Sequence, residues 1–329
     1  MALYKVIEGQ SENMQCQACV RECYIAPDKT GFCGNRKNTV QRIEDCIPNN
    51  IVVIDTNGVL GDKPIKYFVK DENIVSCCTP VLSVGGYNCN LDCQECPNES
   101  MSHPHEKDVG STEYFSPEMV IEMAKKQGLG FIALTYNEPV PFVDTTMELT
   151  RLASQAGIET ILVTNSTCTT EFLDLYQESG GKIVRMDLKA SLSSGNNFYE
   201  KYCNLKVVEE GEVVTIDKIL ESIKHAKEIG LHLELMSAIT PFDYVPSNFP
   251  NEEEFQKTAR WILGNLGAET PWHLALFRTK GKNVDIGANL SRVRDYVQLA
   301  KSVGLTRVGL VENEHRIKQA AKNIKKLLQ

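Results

Sequence analysis

Nowhere does the chain hold a run approaching eighteen apolar residues, so no segment is long enough to cross a bilayer as a helix. The start, Met1-Ala2-Leu3-Tyr4-Lys5, lacks the charged and apolar regions of an export signal. Basic charge is short as well. Thirty-five Lys and Arg stand against 43 Asp and Glu, a net charge of -8, with no basic run longer than a Lys pair. That balance disfavours a partner bound through a phosphate backbone. No period of solenoid type repeats along the chain. These absences predict a soluble, cytoplasmic protein with no membrane and no nucleic-acid partner.

What is present is a globular composition. Apolar residues make up 42% and charged residues 24% of 329, enough for one large α/β domain with appendages. Twelve cysteines in a chain without an export signal point to metal chemistry and reduced thiols rather than to disulfides. Cys89, Cys93 and Cys96 stand at CxxxCxxC spacing in a loop that follows the strand-like run Val81 to Val84. Three thiolates so close together wrap one face of a compact iron-sulfur cluster, and Gly85 and Gly86 let the backbone come near it. A [4Fe-4S] cube takes four ligands, so three leave one iron open to a substrate or cofactor. Zinc is the alternative, with His103 or His105 as a fourth ligand; a disulfide fits an odd number of thiols poorly.

Cys16, Cys19, Cys23 and Cys33 form a second group in a turn-rich stretch, and four thiols suffice to close a site of their own, holding zinc or a second iron-sulfur cluster, with free or mixed-use thiols as the alternative. Residues 39 to 60 read as short strands around turns at Pro48-Asn49-Asn50 and Asn57-Gly58. From Val81 onward apolar strands alternate with helices, the pattern of a parallel sheet: Val81-Val84, Phe131-Thr135, Thr160-Thr164, Ile183-Asp187, Leu233-Ala238 and Trp272-Phe277. Helices are predicted after Ser116-Pro117 and over Met147-Ala156, Glu171-Glu178, Ile216-Ile229 and Glu253-Leu266, with Gly128, Gly157, Gly180, Gly230 and Gly267 as C-terminal caps. Residues 190 to 215 break this rhythm and are read as a substrate-side loop, a solvated insertion being the alternative. The domains expected are a Cys-rich module over 1-75, a barrel over 76-285 and a helix-strand-helix extension over 286-329. Cys46, Cys77, Cys78, Cys168 and Cys203 have no partner by spacing and read as inert buried thiols.

The CxxxCxxC loop after the first strand resembles the signature of the radical S-adenosylmethionine (radical SAM) superfamily. Lys63-Pro64-Ile65, Thr135-Tyr136-Asn137-Glu138-Pro139, Val163-Thr164-Asn165, Asp187-Leu188-Lys189 and Pro271-Trp272-His273 are similar to the branch around pyruvate formate-lyase activating enzymes. The resemblance implies a partial (β/α)6 TIM-type barrel that binds a [4Fe-4S] cluster and S-adenosylmethionine, cleaves the latter reductively and abstracts a hydrogen through the 5′-deoxyadenosyl radical. It also implies an electron donor such as flavodoxin or ferredoxin, and a target that is a glycyl-radical-like protein or a small molecule. A non-catalytic iron-sulfur or zinc binding protein is the reading from another class.

Barrel sites form at the C-terminal strand ends, where Asn137, Glu138, Asn165, Asp187, Lys189 and the Thr240-Pro241-Asp243 stretch fall. By the resemblance, Glu138 takes the cofactor's ammonium, Asp187 and Lys189 contact the cofactor, Asn137 and Asn165 complete its site and the late-strand His273 approaches the adenosine. Structural alternatives are a solvated Glu138, an Asp187-Lys189 ion pair on one strand face and a core His273. One departure stands out: the residue before the third loop cysteine, usually aromatic in this superfamily, is Glu95.

Overall fold

A computed structural model describes residues 3-7, 12-68, 79-105, 109, 113-241, 244-277 and 286-311. Cys77, Cys78, Asp243, the Thr279-Lys280-Gly281-Lys282 turn and the last predicted helix lie outside the described residues.

The N-terminal stretch builds two small antiparallel units. β1 (Tyr4–Val6), β2 (Met14–Cys16) and β3 (Tyr24–Ile25) form one sheet, and β4 (Arg36–Asn38) pairs with β5 (Ile43–Asp45). β6 (Val53–Val59) then enters the main sheet as an antiparallel edge strand against β7 (Pro80–Gly85). The Asn57-Gly58 turn predicted from sequence is a bulge inside β6 instead. A Cβ at Gly58 would lie 2.8 Å from Ser83 Oγ, so the glycine answers close strand approach, not a chain reversal.

Parallel to β7 run β8 (Phe131–Leu134), β9 (Glu159–Thr164), β10 (Ile183–Asp187), β13 (His232–Ile239) and β14 (Trp272–Leu276), within a residue or two of the sequence reading. The short hairpin of β11 (Val208–Glu209) and β12 (Glu212–Val213) lies between β10 and β13, and β15 (Val308–Leu310) adds a parallel strand beside β14. The order is β15-β14-β13-β10-β9-β8-β7-β6. Helices join successive strands: α1 (Pro117–Lys126), α2 (Val143–Gln155), α3 (Thr170–Glu178), α4 (Gly195–Cys203), α5 (Thr215–Glu228), α6 (Glu252–Leu266) and α7 (Ile286–Val303). Strand-helix repetition in this order makes a partial TIM-type barrel, as the sequence predicts.

Alternation along the strands separates two cores. Leu82, Ile132, Leu134, Leu162, Val184, Leu235 and Leu274 belong to the large core that includes the helices, while Val81, Ala133, Ile161, Val163 and Ile183 meet Leu60 and Ile65 in a second, smaller one. The Lys63-Pro64-Ile65 segment thus plugs the sheet's inner face. Helix ends follow the sequence logic. Ser116, Thr169 and Asn251 accept the first-turn amides of Met119, Phe172 and Glu254, and all five predicted capping glycines have positive φ. Among the described residues no helix is long and apolar enough to cross a membrane.

The 190-215 stretch is more ordered than a solvated loop. Helix α4 buries Phe198, Tyr199, Tyr202 and Cys203, and Phe198 stacks on Tyr202 with ring centroids 4.7 Å apart.

Candidate functional site

The cysteine loop leaves the C-terminal end of β7, beside the end of β8 and one strand from β9. It is held from several sides. Asn137 Oδ1 accepts the Gly86 amide at 3.0 Å and its Nδ2 donates to Asn88 O at 2.8 Å. Asn50 makes the matching pair with Tyr87, Nδ2 to Tyr87 O at 2.8 Å and Tyr87 N to Oδ1 at 2.9 Å. A Cβ at Gly86 would sit 2.1 Å from Asn50 O, and one at Gly85 2.7 Å from Thr135 O, so both glycines are required by this approach. The far side rests on α4, with Asp92 N donating to Cys203 O at 3.0 Å and Gln94 N to Tyr202 O at 3.1 Å.

The thiols are partly sheltered. Burial foremost, then the charge of Glu138, raises Cys89 far above the ordinary thiol range, while the Leu91 amide points at its sulfur at 3.4 Å. Cys93 is raised by the adjacent thiol of Cys203, then by burial. Cys96 Sγ lies 3.5 Å from Ser102 Oγ. Thiols so costly to ionise against protons become thiolates on iron, whose charge replaces the proton. Three soft donors on one glycine-opened loop, with a backbone N–H on one sulfur, fit an iron-sulfur cluster. Among the described residues no three His, Cys, Asp or Glu converge on a point able to hold a single ion. The His103 ring, a zinc ligand in the alternative reading, faces Asp92 at 3.4 Å. In a cluster each cysteine takes its own iron.

Glu138 is buried at the mouth of the sheet. Its Oε1 accepts Thr164 Oγ1 at 2.7 Å and its Oε2 the Asn165 amide at 2.6 Å. Burial pushes its carboxyl up to about 7, against the hydrogen bonds and the Lys189 charge that lower it. Asn165 Nδ2 reaches Asn90 Oδ1 at 2.9 Å, so Asn137, Glu138 and Asn165 stand in one network with the loop. Asp187 pairs with Lys189 Nζ at 2.8 Å and with Arg185. Burial alone would lower the Lys189 ammonium, but Cys93, Cys203, Tyr199 and Tyr202 raise it, which puts its charge beside the loop.

His273 is the exception. It is the second residue of β14, and its Nε2 lies 2.6 Å from Glu234 Oε2. Glu234 also faces His232 at 2.8 Å and accepts the Lys66 and Tyr67 amides. The ring is thus engaged with the third residue of β13 and with the plug segment, in keeping with the core-histidine alternative, while its Nδ1 is buried without a partner.

Sequence reasoning missed Arg185, Glu234 and Asn90. The signal for Arg185 was available: Arg185 and Asp187 alternate along β10 and therefore share a face, with Lys189 two residues past its end. The missing aromatic at Glu95 has a counterpart in space, since Tyr202, Tyr244 and Phe277 form a ring cluster with centroids 5.0–6.2 Å apart, and the charge of Glu95 raises Tyr244 after the larger effect of burial. Of the thiols read as inert, Cys168 and Cys203 are buried but Cys46 is exposed.

Comparison with known proteins bears on the family of the chain. The sequence profile of the radical SAM superfamily matches residues 83–262, more than half of the chain. An uncharacterized protein of Methanocaldococcus jannaschii is 25% identical over 273 residues, 83% of this chain and 73% of the relative. Among solved structures, QueE from Escherichia coli superposes with a TM-score of 0.39 at 10% identity, covering 79% of this chain and 92% of that one. The cobalamin-dependent S-adenosylmethionine radical enzyme OxsB does so with 0.37 at 10% identity, covering 67% and 30%. The assignment rests on the family match: the chain belongs to the radical SAM superfamily, which implies a [4Fe-4S] cluster and S-adenosylmethionine.

Proposed function

We propose that the chain is an activase-like radical SAM enzyme that abstracts a hydrogen from a protein target. When bound, the [4Fe-4S] cluster and S-adenosylmethionine supply the one-electron cleavage that yields the 5′-deoxyadenosyl radical. The protein's own part is to hold, orient and shield.

The observation that supports the cofactor site is the Asn137-Glu138-Asn165 network around the loop of Cys89, Cys93 and Cys96; the protein target follows from the resemblance to pyruvate formate-lyase activating enzymes. Cys89, Cys93 and Cys96 would hold three irons of the cluster. Glu138, anionic once ionised and close enough to Cys89 to act on it, receives the cofactor's ammonium. Lys189, charged beside Cys93, serves the carboxylate, with Asp187 fixing its direction. Asn137 and Asn165 keep the loop and Glu138 in register. His273, which by the resemblance approaches the adenosine, has its Nε2 held by Glu234 at 2.6 Å. The electron comes from a carrier of the flavodoxin or ferredoxin class.

A small-molecule target is the second reading, favoured by Arg185, which is half-buried and paired with Asp187, has its Nε without a partner and is pushed down by burial to about 10. An idle guanidinium donor among the strands suits an anionic small molecule. Deuterated cell extract, separated by size and incubated anaerobically with the enzyme and a reductant, distinguishes the two. Deuterium enters 5′-deoxyadenosine from the high-mass fraction if the target is a protein and from the low-mass fraction if it is not.

A further inference from the structure

We propose that Cys16, Cys19, Cys23 and Cys33 hold a second iron-sulfur cluster, set against the barrel loop so that single electrons pass from it to the cluster there; the electron path rests on the function proposed above. Cys16 ends β2, the backbone of Cys19 pairs antiparallel with that of Cys168, Cys23 precedes β3 and Cys33 lies in the turn before β4. Though scattered in sequence, all four line one small cavity together with Arg21, Arg36 and Asn90. Backbone amides point at the sulfurs as they do in thiolate sites: Ala18 at Cys16, Arg21 at Cys19, Asn35 and Arg36 at Cys33.

A further observation points to a bound group that accepts a hydrogen bond. Arg36 is 3% exposed, with Nη1 on Asp45 at 2.6 Å and Nη2 on Ile43 O at 3.0 Å, yet its Nε is buried and unpartnered while the residue lines the cavity. An idle buried donor costs about 1–3 kcal/mol unless something accepts from it. Four thiols around one cavity suit a cluster, where each thiolate takes a different iron, with zinc as the competing occupant.

The cavity is joined to the barrel loop by two residues. Asn90 follows Cys89 directly; its side chain reaches Cys19, and its carbonyl accepts Arg21 Nε at 2.6 Å. The Arg21 charge acts on Cys19, Cys23, Cys33 and also on Cys89. In the electron path a reduced flavodoxin or ferredoxin would give up one electron to the group held by Cys16, Cys19, Cys23 and Cys33, and that group would pass it on to the one held by Cys89, Cys93 and Cys96 and return to its oxidised form, with no proton or atom transferred.

The test begins with anaerobic reconstitution using iron and sulfide. Wild type should take up about six to eight irons with matching acid-labile sulfide. The Cys89→Ala, Cys93→Ala, Cys96→Ala triple variant should keep about two to four irons with sulfide. Cys23→Ser with Cys33→Ser should lose one cluster and keep the other, which reads the site even if the triple variant folds poorly. Zinc without sulfide in the triple variant, or a wild type that never exceeds one cluster, overturns the site. For the path, the ratio of S-adenosylmethionine cleavage with reduced flavodoxin to cleavage with dithionite should fall about tenfold or more in the Cys23→Ser, Cys33→Ser protein. An unchanged ratio overturns the path. A wild type that binds both clusters but cleaves no S-adenosylmethionine refutes the proposed function and leaves the second site standing.

Discussion

The Gly86 amide and the Asn137 side-chain oxygen meet at 3.0 Å, across the gap between the cysteine loop and the end of β8. Through this contact, and the 2.8 Å bond from Asn137 Nδ2 to Asn88 O, one side chain sets the position of the backbone from which Cys89 departs.

Asn137→Ala removes both bonds and strands the Gly86 amide, a local cost of about 1–3 kcal/mol. Iron bound per chain after reconstitution should fall while the far-UV spectrum stays that of wild type. Full iron occupancy in the variant would show that the loop holds its shape without the clamp.

Glu138 gives a pH signature. Its carboxyl stands at about 7 instead of 4.5 because it is buried, so the folded state holds the proton more tightly than the unfolded one. The stability this lends is fully present below about 4.5 and is lost as pH rises through about 7. An ammonium ligand needs the ionised form, so S-adenosylmethionine binding should tighten from about pH 5.5 to 7.5. Glu138→Gln should flatten that dependence and weaken binding by about 10-fold to 150-fold at neutral pH, equivalent to about 1.5–3 kcal/mol. Unchanged affinity at full iron content would return Glu138 to a purely structural role.

Glu234 behaves in the opposite sense. Burial alone would raise its carboxyl, but hydrogen bonds from His232 and His273 and from the Lys66 amide hold it down at about 2. The stabilisation is present above the unfolded value of 4.5 and is lost as pH falls toward 2. Glu234→Gln should therefore cost about 3–5 kcal/mol near neutral pH and make the acid limb of the stability profile shallower. Urea unfolding at several pH values measures both. A loss of iron without a loss of stability would place Glu234 at the cofactor instead.

Much of this was legible in the chain because it rests on local rules. The strands carry runs such as Ile183-Val184, the capping glycines end helices whose apolar faces are continuous, and the loop cysteines announce themselves by spacing. What the sequence hid depends on distant partners. Nothing near His273 reveals that Glu234, 39 residues away, will take its ring. Nor does the polar look of residues 190 to 215 show that Tyr199 and Tyr202 are buried against the cysteine loop. The Asn57-Gly58 pair misled for the same reason: its glycine is demanded by Ser83 on the neighbouring strand.

The central claim is that the loop of Cys89, Cys93 and Cys96 drives radical chemistry, and the most direct measurement is 5′-deoxyadenosine formed from S-adenosylmethionine under anaerobic conditions with dithionite. Wild type should form 5′-deoxyadenosine and methionine in equal amounts. The Cys89→Ala, Cys93→Ala, Cys96→Ala protein should form none. An iron-replete wild type that produces no 5′-deoxyadenosine, or a triple variant that still does, contradicts the account.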